Sequence, residues 1–74
     1  MSAPGGGEVA VRVNGEDRRI AAGQTVKQYV ESLGLHPGLV VVEHNREILD
    51  RERYGDVGIR EGDVLELVHF VGGG

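Results

Sequence analysis

Val9, Val11 and Val13 alternate with Ala10 and Arg12 and run into Asn14-Gly15. That pattern constrains the fold more than any other in the chain. Alternation at period two marks a strand buried on one face. Asn-Gly supplies two residues that tolerate positive φ, which is what a two-residue hairpin loop requires. The spacing therefore predicts a β-hairpin with a return strand over Arg18–Ala22 and Ile20 as its main apolar contribution.

A hairpin alone does not bury enough surface to be stable, and its partner follows directly. Thr25 and Gln28 have the spacing of a capping box, in which each side chain satisfies the other residue's free backbone donor. Val26, Tyr29, Val30 and Leu33 then recur at i, i+3, i+4 and i+7, one apolar face of a helix of about nine residues. Gly34 can take the left-handed position that ends a helix, and Pro37 prevents its resumption. Leu39-Val40-Val41-Val42 is a continuous apolar run, the pattern of a central strand buried on both sides. Asn45-Arg46-Glu47 reads as a turn before the short pair Ile48-Leu49. A polar stretch with one helical turn around Arg51–Tyr54 leads to a second turn at Glu61-Gly62-Asp63. Val64–Val71 is the last strand.

The order is hairpin, helix, strand, short connection, strand. This predicts an α+β fold: a mixed four- to five-stranded sheet with one main helix on one face, the ubiquitin-like β-grasp. The first and last strands are expected side by side at its centre. Residues 1–7 read as a disordered leader, 8–71 as the domain, and Gly72-Gly73-Gly74 as a flexible tail.

The chain has 74 residues and no cysteine. A domain of this size buries only about 60% of the surface its unfolded chain exposes. Without thiols it has no disulfide, no cysteine nucleophile and no thiolate metal site of its own. Net charge is −4, and the seven arginines are interleaved with acids. That balance argues against nucleic acid as a partner. No apolar run approaches the roughly 20 residues of a membrane span, and the leader lacks the features of a signal peptide. The expected compartment is the cytoplasm.

His36, His44 and His69 match no compact metal motif, so no metal site is predicted. Glu43, Glu61, Asp63 and Glu66 form either an acidic patch for a basic partner groove or an ordinary solvated face. The tail is the most distinctive chemical feature. Three extended residues reach about 10 Å, enough for a terminal carboxylate to enter another protein's pocket. Glycine has no Cβ, so the channel can be narrow. Ordering three residues costs roughly 3–6 kcal/mol, which a docking surface on the body should offset. If Leu65 and Leu67 point to the core, Val68 and Phe70 are exposed beside the tail as anchors for a partner. Taken alone, three terminal glycines are more often a frayed end or a cloning remnant.

Over Val9–Gly74 the chain resembles the ThiS family, ubiquitin-like sulfur carriers of thiamine (thiazole) biosynthesis. The resemblance rests on Val13-Asn14-Gly15-Glu16, Gly23-Gln24-Thr25-Val26, Val40-Val41-Val42-Glu43, Glu61-Gly62-Asp63 and the ending Val68-His69-Phe70-Val71-Gly72-Gly73-Gly74. Asn45-Arg46-Glu47 departs from the family's usual Asn-Gly-Glu, and Tyr54 stands where tryptophan is common.

The resemblance implies a carrier that catalyses nothing itself and binds no cofactor. An E1-like adenylating enzyme would use ATP to activate the carboxylate of Gly74, with Gly72 and Gly73 as its access arm. A persulfide from a cysteine desulfurase pathway would convert it to a thiocarboxylate, and thiazole synthase would receive the sulfur. The free carrier would be a monomer. Three alternatives stay open on sequence alone: a molybdopterin synthase small subunit-type carrier, a ubiquitin-like modifier of lysines, and a β-grasp binding module with an inert tail.

Overall fold

In a computed structural model, which describes residues 7–70, the hairpin forms as expected. Strands β1 (Glu8–Val13) and β2 (Glu16–Ala21) pair antiparallel from Glu8 opposite Ala21 to Val13 opposite Glu16. Asn14 at φ 51° and Gly15 at φ 83° make the turn, whose twist matches that of the flanking strands. The return strand starts two residues earlier than expected, because a two-residue loop leaves no slack before pairing resumes.

Helix α1 spans Val26–Ser32, and both halves of its capping box are present. Thr25 Oγ1 accepts from Gln28 N–H at 3.1 Å, and Gln28 Oε1 accepts from Thr25 N–H at 2.9 Å. Val26, Tyr29 and Val30 are buried. Leu33 departs from expectation. It is the C-cap residue and is 47% exposed.

Strand β3 (Val40–His44) and the two-residue β4 (Glu47–Ile48) form a second hairpin, and β5 is Val64–His69. Short 3-10 turns cover Pro37–Leu39 and Arg51–Arg53. The sheet order is β2-β1-β5-β3-β4, with β1 and β5 parallel and β5 antiparallel to β3. The first and last strands are thus neighbours, as expected, and β5 is central.

The reading of β3 as buried on both sides is corrected. Val40 and Val42 are fully buried, while Val41 is only half-buried and Leu39 lies in the preceding turn, 41% exposed. The single helix covers one face of the sheet, so only alternate residues of the run reach the core. That core unites Val11, Val13 and Ile20 with Val26, Tyr29, Val30, Val40, Val42, Tyr54, Ile59 and Leu65. Strand β5 also stops sooner than expected. Phe70 lies past its end but keeps a hydrogen bond from its N–H to Leu39 O at 2.8 Å. Val71 falls outside the described residues. Among those described, no helix is long and apolar enough to cross a membrane.

Candidate functional site

Strand β5 sets the site because it alternates. Leu65 is fully buried and Leu67 partly buried against the helix, so Val64, Glu66, Val68 and Phe70 face the other way. Val68 and Phe70 are 54% and 53% exposed, the arrangement expected if the leucines point inward. The predicted access arm and reactive carboxylate, Gly72, Gly73 and Gly74, lie outside the described residues.

The exposed apolar surface is wider than Val68 and Phe70. Val41 sits directly opposite Val68 across the β3–β5 ladder, and the exposed side chains of Leu39, Ile48 and Val64 extend the same face. Sequence reading missed Val41 by assigning its whole run to the core. The signal was its parity: it alternates with Val40 and Val42. Ile48 follows from its register, opposite Glu43 on the uncovered face.

The four acidic candidates do not form one patch. Glu43 and Glu66 are cross-strand neighbours on the uncovered face. Glu61 instead turns back, its Oε1 accepting from Ala10 N–H at 2.9 Å. Asp63 is buried and accepts from Arg60 N–H at 2.9 Å and Asn45 Nδ2 at 3.1 Å, with His44 Nε2 at 2.9 Å. Burial by itself raises the pKa of Asp63, but the hydrogen bonds from Arg60, His44 and Asn45 outweigh it, and the carboxyl titrates below its ordinary value. Asp63 therefore ties the β3–β4 turn to the start of β5.

The histidines are separated in the same way. His36 Nδ1 accepts from Gly38 N–H within the Pro37–Leu39 turn, at 2.9 Å. His44 serves Asp63, and His69 is exposed on β5. Among the described residues, no group of three His, Cys, Asp or Glu side chains could hold a metal ion.

What remains is a small body with an uncovered apolar sheet face, whose central strand leads to the glycine tail. The sequence profile of the ThiS family matches residues 11–74, all but the first ten residues. The chain belongs to the ThiS family.

This ThiS family member has curated relatives of two sizes. The sulfur carrier protein ThiS of Bacillus subtilis is 46% identical over 50 residues, which cover 68% of this chain and 76% of that protein. A thiazole synthase of Paramagnetospirillum magneticum is 42% identical over 62 residues, covering 84% of this chain but only 19% of the synthase. The crystal structure of the thiamine biosynthesis protein ThiS from Geobacter metallireducens superimposes with a TM-score of 0.72 at 30% identity. That superposition covers 89% of this chain and all of the other. The fold is therefore the ThiS-like β-grasp, five strands and one helix.

Proposed function

We propose that this ThiS family member carries sulfur for thiazole formation on the carboxylate of Gly74. The observation that carries this reading is that the family match extends from residue 11 to Gly74. The exposed Val68 and Phe70 beside that end support it. The chain is the carrier, and other proteins perform the chemistry.

A free carboxylate is a poor electrophile, so activation comes first. An adenylating enzyme joins the Gly74 carboxylate to the α-phosphate of ATP and releases pyrophosphate. The terminal sulfur of a protein persulfide attacks the activated carbonyl, and AMP leaves with the C–O electron pair. A second thiol then reduces the S–S bond of the acyl persulfide, leaving a thiocarboxylate on Gly74 and a disulfide between the two thiols. Thiazole synthase is the acceptor. The likeness of this chain to about a fifth of proteins named thiazole synthase supports that pairing.

The apolar sheet face around Val68 and Phe70 docks the activating enzyme. It supplies the burial that offsets ordering of the tail, since buried apolar area contributes about 25 cal/mol per Å².

Intact-mass spectrometry of the chain from cells with a working sulfur pathway tests the proposal. A fraction heavier by the exchange of one oxygen for sulfur is expected, and removal of Gly74 should abolish it. Sulfur loading of a chain lacking Gly74 would overturn the assignment. Conjugates to other proteins in place of that fraction would identify a modifier instead.

A further inference from the structure

The two edges of the β3–β5 pair are finished differently. Hydrogen bonds at the ends of this ladder, Asn45 N–H to Val64 O and Phe70 N–H to Leu39 O, both at 2.8 Å, fix its phase. Even-numbered residues of β5 bond β3, and the main-chain groups of Leu65, Leu67 and His69 turn to the opposite edge. The β1 side agrees with this. Leu65 O accepts from Asn14 N–H at 2.9 Å, and Leu67 N–H donates to Asn14 Oδ1 at 2.8 Å.

There β1 turns away into its hairpin. Its pairing with β5 covers only Arg12 opposite Val64 and Val13 opposite Leu65. The side chain of Asn14 extends the ladder by one bond. Beyond it, Leu67 C=O and His69 N–H have no hydrogen-bond partner among the described residues. A groove runs along this open edge on the helix side, between the end of α1 and β5, lined by Tyr29, Leu33, Leu35, Leu67 and His69, with Arg18 at its rim. The exposure of Leu33, which the helix pattern does not account for, gives this groove an apolar wall.

We propose that an extended segment of the activating enzyme pairs with the Leu67–His69 edge of β5 as an added strand. This rests on the carrier reading above. Position argues for that occupant. Only residues 71–74 separate Phe70 from the reactive carboxylate, and four extended residues reach about 13–14 Å. Any enzyme whose pocket receives Gly74 must therefore cover the end of β5. Strand addition takes affinity from main-chain hydrogen bonds and specificity from alternate side chains. Here the incoming segment would place an apolar side chain between Leu33, Leu35 and Leu67.

Amide hydrogen exchange tests the pairing on the full chain, with the E1-like adenylating enzyme of the same organism and ATP as the probe. The His69 amide should exchange about tenfold more slowly, or slower still, in the complex, while the Arg51–Arg53 turn is unchanged. In a chemically synthesised chain, an ester replacing the His69 amide keeps the imidazole and removes the N–H, while leaving the Val68 carbonyl a weaker acceptor toward β3. Its kcat/KM for adenylation should fall about three- to tenfold, the worth of one hydrogen bond. Unchanged His69 exchange, or an ester chain adenylated as well as the amide chain, overturns the pairing and leaves the carrier function standing. Protection that appears without the enzyme and grows with chain concentration also overturns it, assigning the edge to a second copy. A wild-type chain that the enzyme does not adenylate overturns both proposals.

Discussion

The phenol of Tyr54 stands in for a strand on the outer edge of β3, donating to Val40 O at 2.7 Å. The same oxygen accepts from Val42 N–H at 3.1 Å. Strand β4 is too short to reach these groups, and its hairpin ends with Leu49 N–H on Val42 O at 2.9 Å. Tyr54 is itself 3% exposed. Tyr54→Phe would keep the packing and orphan both backbone groups, so we expect a loss of about 1–3 kcal/mol. Urea unfolding of the two proteins, compared at equal slope, measures it.

Arg46 occupies φ 74° in the β3–β4 turn, after Asn45 at φ 51°. The geometry is again that of a primed hairpin turn, but here its second position holds a residue with a Cβ. A left-handed conformation costs a non-glycine residue roughly 1–2 kcal/mol. Arg46→Gly should recover about 1 kcal/mol of this, part being offset by the freedom glycine regains in the unfolded chain. A rise in the urea midpoint checks the sign.

Asp63 should make stability fall in acid. Its folded pKa lies below the ordinary value of 3.8, because hydrogen bonds from Arg60, His44 and Asn45 outweigh the opposing effect of burial. A depressed folded pKa contributes stability that is complete above the unfolded pKa. That contribution is lost as pH falls through the folded pKa. The gap in unfolding free energy between wild type and Asp63→Asn should thus be about 1–2 kcal/mol near neutrality and shrink below about pH 4. Chemical unfolding at a series of pH values reads this out. A gap that widens in acid would contradict it.

Val68 and Phe70 separate binding from folding. Both are half-exposed, so alanine at either should change stability by no more than about 0.5 kcal/mol. Each should nonetheless lower kcat/KM for adenylation about tenfold or more if it anchors the activating enzyme. Pyrophosphate release, measured against carrier concentration, distinguishes this from an effect on ATP.

Local signals account for most of what the sequence disclosed. The Val9–Val13 alternation, Asn14-Gly15 and the Thr25–Gln28 box each act within a few residues, and all appear in the fold. The outward facing of Val68 and Phe70 was legible for the same reason, since Leu65 and Leu67 fix the phase of β5. What stayed hidden depends on residues distant in the chain. Val41 looked like core because β-branched residues suit either face of a strand, and only the number of covering layers decides between them. Asp63 looked like surface because its partners His44 and Asn45 lie 19 and 18 positions away. The side-chain caps from Tyr54 and Asn14 had no sequence signal, because they complete strands whose lengths are set by tertiary pairing.

Strand β5 lies between β1 and β3, parallel to the first and antiparallel to the second. A pull on the C-terminus against the N-terminus therefore loads the β1–β5 junction in shear, along the strands. Its hydrogen bonds resist together and cannot be peeled one at a time. If the chain carries sulfur as proposed, drawing its tail out of a tight enzyme pocket would load that junction in shear, and the body would resist unravelling.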